Sequence, residues 1–205
     1  MTQINLPPIK QMEMQIRIIG ISPLVQHQWS EKAIKMMREK QAGKKTKNRE
    51  VRKPEQEFKD ATYLTVNGEF GIPAQALKKA LISSAHKDIG IEKTLLRKSL
   101  FILCDDPGNI LKMESDDPVM RQDMVRVGMG SSDIRYRPEF RDWAVNVTVH
   151  FDAEALTPEN IVTLFQRAGF GIGIGEMRPE KSGENGRFRV DTETAVNLEV
   201  TEIAV

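Results

Sequence analysis

Residues 169–189 read GFGIGIGEMRPEKSGENGRFR and combine a glycine ladder with a run of cationic side chains. Glycine occupies every second position from Gly169 to Gly175. The cationic positions that follow are Arg178, Lys181, Arg187 and Arg189. Because glycine has no Cβ, such a backbone can take positive φ angles and approach another chain closely. Backbone N–H groups beside cationic heads suit a phosphate chain, so the pattern predicts a phosphate-binding loop. The alternative is a helix-ending glycine followed by an ordinary surface loop.

The residues just before this loop carry the signals of a helix. Thr157 suits an N-cap and Pro158 suits the first helical position. Apolar residues then recur with the spacing of one buried helical face. These signals predict a helix over 157–168 that Gly169 closes as the first residue beyond its C-cap.

Six periodic segments make up the predicted core. The predicted strands are 12–21, 99–104, 143–151 and 187–200, and the predicted helices are 73–87 and 157–168. Their order is βαββαβ, the order of a ferredoxin-like or RRM-like α+β core. The length of 205 residues fits a single domain over residues 1–205. Two insertions interrupt the core, a basic flexible segment over 30–68 and a β-hairpin arm over 105–142.

The first insertion concentrates the positive charge of the chain. Between Lys35 and Lys53, nine lysines and arginines face two glutamates, a local net charge of +7 in a chain whose total is +1. Almost no large apolar residue follows Met37, so the segment is expected to be mobile without a partner. Concentrated positive charge is the footprint expected of nucleic-acid binding, although a solvated face would give the same composition. The predicted phosphate contacts are Lys44, Lys45, Lys47, Arg49, Arg52 and Lys53.

The second insertion contains MVRVGMGSSDIRYRP, residues 124–138, which predicts a β-hairpin. Residues 130–133 read GSSD and can turn the chain, and the arginines then fall along one side of the hairpin. Arginines on an exposed edge strand also protect against aggregation, which is the alternative role. We favour an arm that contacts nucleic acid, because an aromatic ring between arginines offers stacking beside phosphate clamps. The predicted contacts are Arg126, Arg135, Tyr136 and Arg137.

The cellular compartment is predicted from three absences in the sequence. Cys104 is the single cysteine, which excludes an internal disulfide and fits a reducing cytosol. The first residues, MTQINLPPIKQ, lack the layout of a signal peptide, and no apolar run reaches membrane-spanning length. We therefore expect a cytoplasmic protein without a membrane partner.

Metal chemistry has no support in the spacing of potential ligands. His27, His86 and His150 are far apart, and neither a CxxC nor an HExxH pattern occurs. The sequence therefore predicts neither a metal nor another cofactor.

The whole pattern resembles the repeat-associated mysterious protein (RAMP) superfamily of CRISPR-associated proteins, especially its backbone-subunit branch. The resemblance rests on the element order with its two insertions, on GIPAQALKKAL at residues 71–81, and on the glycine-rich loop. It implies binding of single-stranded RNA by subunits stacked along the strand, in a prokaryotic or phage-infected host. The chain departs from the family in its short length, its compact insertions and a strand marked by Trp143. A phage or mobile-element relative that coats RNA or single-stranded DNA fits these departures.

The leading functional hypothesis is a non-catalytic protein that binds single-stranded RNA or DNA and oligomerises along the strand. In this hypothesis the three basic elements converge on one groove, where arginine and lysine hold phosphates. The side chains expected to stack on bases are Trp29, Tyr136 and Phe140.

Two alternatives use the same residues differently. His27 follows the first strand, where RAMP endoribonucleases often place a catalytic histidine, and it could assist attack of a ribose 2′-OH without a metal. A histidine beside Leu24, Val25 and Trp29 can equally be a packed or hydrogen-bonded residue. The other alternative is a structural protein whose basic segments bind an acidic protein.

Overall fold

The computed structural model describes residues 10–43, 51–88, 90–127, 130–195 and 200–202, and the fold is α+β as predicted. The strands are β1 (Gln11–Gly20), β2 (Leu24–Val25), β3 (Gly71–Pro73), β4 (Leu100–Leu103), β5 (Ile110–Lys112), β6 (Glu114–Ser115), β7 (Val119–Val127), β8 (Ser131–Phe140), β9 (Trp143–Asp152), β10 (Phe188–Val190) and β11 (Val200–Glu202). The helices are α1 (Glu31–Gln41), α2 (Pro54–Asp60), α3 (Ala74–Asp88), α4 (Lys93–Ser99), α5 (Pro158–Gly171) and α6 (Thr192–Ala195), with a 3₁₀ turn at Pro179–Lys181.

The main sheet is antiparallel and follows the path β10–β1–β9–β4, with β11 also pairing with β1 and β6 with β9. The four strands on that path and the helices α3 and α5 fall on the six predicted core segments. The assignment of this core as ferredoxin-like stays a prediction. The closing segment 187–200 is not one strand, because α6 follows β10. The Asp191 side chain accepts from the Glu193 N–H at 3.1 Å, which turns the chain out of the sheet.

The core lies between one face of this sheet and the helices α3 and α5. Alternate residues of β1 and β9 point inward, as the period of a half-buried strand requires. Those inward residues are Met14, Ile16, Ile18, Val145, Val147 and Val149, and they form one cluster with Leu77, Leu81, Leu164 and Phe165.

The helix α5 begins where the sequence predicts and ends later than predicted. Thr157 is its N-cap and forms a capping box, since its side chain accepts from the Asn160 N–H and Asn160 accepts from the Thr157 N–H. The prediction that Gly169 lies beyond the helix end is wrong. Gly169 is inside the helix, where a Cβ would collide with the Phe188 carbonyl oxygen. The glycine is needed because β10 packs directly on the helix backbone.

The insertions contain regular structure. The segment 30–68 includes α1 and α2, with residues 44–50 outside the described part of the chain. The segment 105–142 contains β5, β6 and the hairpin β7–β8, and β2 joins the hairpin to form a second sheet in the order β2–β8–β7.

The hairpin turns earlier than predicted. Ser131 already pairs with Val127, so the chain reverses between these two residues and not at 130–133. Because side chains alternate along a strand, an odd change of register moves one strand's residues to the other face. Arg126 pairs with Ser132 and therefore lies on the opposite face from Arg135 and Arg137, so the prediction of arginines along one side is wrong.

The glycine-rich loop is tied to the chain around β2 by backbone hydrogen bonds. The N–H of Glu176 donates to the Val25 carbonyl, and that of Gly186 donates to the Pro23 carbonyl, both at 2.8 Å. Within the loop, the N–H of Ile174 donates to the carbonyl of Gly186 at 2.9 Å. Gly186 has φ +67°, and a Cβ there would collide with the Ile174 carbonyl oxygen. The glycines of the loop thus serve close packing of backbone on backbone.

Substituting Gly186 should therefore destabilise the fold. We expect Gly186→Ala to lower the free energy of unfolding by about 2 kcal/mol or more, since it combines a positive φ with overpacking. Urea unfolding followed by circular dichroism measures the loss. Gly171→Ala is the matched control, because a Cβ at Gly171 meets no atom within 4 Å. Equal stability of the two variants would contradict this account of the loop.

Candidate nucleic-acid interface

A groove of about 960 Å³ lies between the β7–β8 hairpin on one side and α1 and α2 on the other. The segment that follows β2, from His27 to Ser30, contributes to its lining. Two of the three predicted basic elements and the predicted histidine therefore meet at one place.

Cationic residues outnumber acidic ones in the lining of the groove. Among the described residues, five that line it are lysine or arginine. Two come from the residues just before α2 and three from the hairpin, where Arg126 reaches the groove from the other face than Arg135 and Arg137: Arg52, Lys53, Arg126, Arg135 and Arg137. Two described lining side chains, Glu57 and Asp60, are acidic. The groove thus favours an anionic ligand.

Aromatic and apolar side chains lie among these cations. Trp29 is 59% exposed although it is the largest apolar side chain in the groove, and Tyr136 lines the hairpin side. Met36, Met37 and Val51 add exposed apolar surface. An exposed indole beside cations is suited to a ligand that carries both flat rings and negative charge.

The cations of the groove differ in how strongly they are already paired. Lys53 and Arg126 are exposed, and neither has an ion-pair partner among the described residues. Arg52 donates to both carboxylate oxygens of Glu57, at 2.8 and 3.0 Å, and to Asp133 at 2.6 Å. Arg135 lies 3.2 Å from the same Asp133. Lys53 and Arg126 are therefore the cations most accessible to a ligand.

Arg137 differs from the others because it is buried, with only 7% of its surface exposed. Its Nε–H donates to His27 Nδ1 at 2.9 Å, and its terminal nitrogens lie 3.4 Å from Asp123 and 3.3 Å from Glu176. A guanidinium held in this way positions its neighbours. Arg137 is therefore poorly placed for the direct phosphate contact that the sequence predicts.

The same contact fixes the state of His27. An arginine Nε–H can only donate, so His27 Nδ1 must be the acceptor and the imidazole proton must be on Nε2. Burial, and next the positive charge of Arg137, lower the pKa of His27 below its ordinary value near 6.5. A histidine with its basic nitrogen engaged and its cationic form disfavoured is poorly suited to general-base or general-acid catalysis.

One predicted stacking residue lies outside the groove, and four predicted cations fall on residues that the structure does not describe. Phe140 is buried and packs edge-on against Phe70 with ring centroids 5.3 Å apart, so the prediction that it stacks on a base is wrong. Lys44, Lys45, Lys47 and Arg49 lie outside the described residues.

The cations of the glycine-rich loop do not line the groove. Arg178 donates to Glu180 at 2.8 Å and to the Gly175 carbonyl at 3.0 Å. The Arg187 guanidinium lies 5.4 Å from the centre of the exposed Phe170 ring. Lys181 is exposed. Their predicted phosphate contacts stay a prediction.

Sequence reasoning missed the acidic side chains that organise the groove. It places Asp133 in the turn of the hairpin and does not single out Asp123 or Glu176. The alternation of acidic residues with arginines along the hairpin is visible in the sequence, in RQD at 121–123 and DIR at 133–135. That alternation indicates ion pairing, but it does not identify the partners across the groove.

The described residues contain neither a candidate metal-binding cluster nor a candidate membrane-spanning helix. No group of three or more His, Cys, Asp or Glu side chains in it is arranged to hold a metal ion. No helix in it has the length and apolar content needed to cross a bilayer.

Comparison with known proteins gives a distant structural likeness. No family model matches the sequence, and no curated protein matches it. The structure is similar to the crystal structure of Cmr6 from Pyrococcus furiosus, with a TM-score of 0.40 and 11% sequence identity over 87% of this chain and 98% of that one. At this TM-score and identity the likeness decides nothing about ligand or activity.

The pairing of His27 with Arg137 predicts a specific dependence of stability on pH. Because the folded pKa is lowered, the unfolded chain takes up a proton as the pH falls through about 6.5 while the folded chain does not, and stability is lost. His27→Asn keeps an acceptor for Arg137 and does not titrate. We expect the stability of the wild type relative to His27→Asn to fall by up to about 1.4 kcal/mol per pH unit below about pH 6.5. Urea unfolding at several pH values measures this difference, and His86 and His150 cancel from it. Parallel curves would contradict the assignment.

Proposed function

We propose that the protein binds single-stranded nucleic acid, RNA or DNA, in the groove between the β7–β8 hairpin and the helices α1 and α2, and that it does so without catalysis. The observation that carries the proposal is the exposed indole of Trp29 in a groove lined by five cations. Phosphates would contact the four cations other than the buried Arg137 while a base stacks on the indole. The RAMP resemblance implies the same class of ligand.

Single strands fit the groove better than duplexes do. In a duplex the base faces are stacked on each other, so an indole can contact them only after the stack opens. No described residue of the lining singles out the ribose 2′-OH, so both RNA and DNA belong in the binding test.

The endoribonuclease alternative has less support. His27 lines the groove, but its Nδ1 is occupied by Arg137 and its pKa is lowered by burial and by that guanidinium. We therefore expect bound RNA to stay intact in EDTA. Cleavage that is lost in His27→Ala would reverse this conclusion.

Self-association along the strand is the finer part of the proposal. The hairpin face that carries Met124 and Ile134 supports it, because Met124 is 81% exposed and Ile134, directly opposite in register, is 38% exposed. Contact of a neighbouring copy with these two side chains would remove apolar surface from water. Sedimentation with long oligonucleotides tests this, and saturation at one copy per long strand would exclude it.

The stacking role of Trp29 can be tested by substitution. We expect Trp29→Ala to weaken binding of labelled oligouridylate and oligothymidylate by about 1–3 kcal/mol, the value of one base–aromatic stack. Fluorescence anisotropy measures the affinity. Phe101→Ala is the matched control, since Phe101 is 46% exposed and lies outside the groove and the glycine-rich loop. If both variants bind like the wild type, the groove is not the stacking surface. Salt-sensitive binding of an acidic protein without oligonucleotide binding would favour the alternative of a structural protein whose basic segments bind an acidic partner.

The phosphate contacts should appear in the salt dependence. Exchanging Lys53 and Arg126 for glutamine should lower the slope of log K against log salt by about 0.7 for each lost contact, equally for all sequences. The same exchange at Lys181 and Arg187 tests whether the glycine-rich loop also contacts the strand. An unchanged slope in the groove variant, with folding confirmed by circular dichroism, would place the binding surface elsewhere.

A further inference from the structure

We infer that Arg52 and Arg135 form a phosphate subsite of the groove, and that the carboxylate of Asp133 occupies this subsite in the free protein. The inference rests on the proposed nucleic-acid function and deepens it. It names the ligand group, the phosphodiester, and an internal competitor for it.

Asp133 links guanidinium groups from the two walls of the groove. Its Oδ1 accepts from Arg52 Nη1 at 2.6 Å, and its Oδ2 lies 3.2 Å from Arg135 Nη2. Arg52 comes from the residues before α2, whereas Arg135 lies on β8. A phosphodiester has two non-bridging oxygens that guanidinium N–H groups bind as they bind a carboxylate. Its phosphate can therefore bridge the same two side chains.

Arg52 is held in place independently of Asp133. Its Nε and Nη2 donate to the two carboxylate oxygens of Glu57, at 2.8 and 3.0 Å. This bidentate pair fixes the plane of the guanidinium and leaves Nη1 directed across the groove. When Asp133 leaves, Arg52 remains oriented to donate to an incoming oxygen.

The exchange of Asp133 for a phosphate is accessible to a bound strand. The Arg52 and Arg135 side chains are 31% and 36% exposed, so a ligand in the groove reaches them. The Asp133 carboxylate between them is 17% exposed, and a phosphate that replaces it keeps both guanidinium groups paired. Asp133 lies near the start of β8, where its Oδ1 also accepts from the Ile134 N–H at 3.0 Å. Vacating the subsite therefore requires rotation of this short side chain and loss of that hydrogen bond.

The test is Asp133→Asn, measured by anisotropy with labelled oligouridylate and oligothymidylate over a salt series. Removing the competing charge should raise the affinity about three- to tenfold, the effect of one or two such pairs. It should also steepen the salt slope by about 0.7, because binding then no longer releases a carboxylate that takes up a counterion. Asp116→Asn removes the same charge from an exposed turn outside the groove and should change the affinity much less.

A second variant separates the subsite from a general charge effect. Arg135→Gln in the Asp133→Asn background should cancel the increase in affinity, because only one of the two guanidinium groups then remains. Unchanged or weaker binding by a folded Asp133→Asn variant would overturn the inference, since Asp133 would then be a clamp that the binding site needs. That result leaves the proposed function in place. Absence of any oligonucleotide binding by the wild type would instead overturn the proposed function itself.

Discussion

The buried guanidinium of Arg137 is the interaction on which the geometry of the groove depends. Its hydrogen-bond and ion-pair partners are His27 after β2, Asp123 on β7 and Glu176 in the glycine-rich loop. A buried charge that loses its partners costs several kcal/mol, so these parts are held in one arrangement. The two residue pairs that join β2 to β8 would alone leave the hairpin poorly fixed. The buried cation supplies the missing constraint.

The glycine-rich loop helps to hold the buried Arg137 in place. The loop delivers Glu176 to Arg137, and the N–H of that same residue donates to the Val25 carbonyl beside the hairpin. Other N–H groups of the loop also donate to carbonyls of the protein, including those of Ile174, Gly183 and Gly186. Because these N–H donors are used within the protein, the loop acts as a structural support for the groove. Any contact of the loop with a strand would have to come mainly from its side chains.

The elements that local patterns determine could be predicted from the sequence. The alternation in β1 and β9 and the N-cap at Thr157 depend only on neighbouring residues, and the structure confirms them. The end of α5 could not be predicted, because Gly169 is set by the distant Phe188 carbonyl. The hairpin face of Arg126 could not be predicted either, because a turn that shifts by an odd number of residues reverses the faces. For the candidate site, the sequence predicts which residues are cationic but not which of them are free to bind a ligand. It identifies Arg52, Arg126 and Arg135 as cations, but it does not show that two of them share Asp133.

Ion pairing within the groove affects long-range attraction of a ligand and direct contact with it in different ways, which a count of charges does not show. An exposed cation such as Arg126, which has no ion-pair partner among the described residues, attracts a strand over about a Debye length and loses that attraction in salt. A paired cation such as Arg52 contributes little at long range, because its field is largely cancelled by Glu57 and Asp133. In direct contact with a ligand the paired cation has the advantage. A guanidinium already oriented by Glu57 loses less side-chain freedom when it binds an oxygen. In the proposed function, the exposed cations Lys53 and Arg126 would attract a strand and the oriented Arg52 would hold it, and the carboxylates paired with Arg52 would set the balance between the two effects.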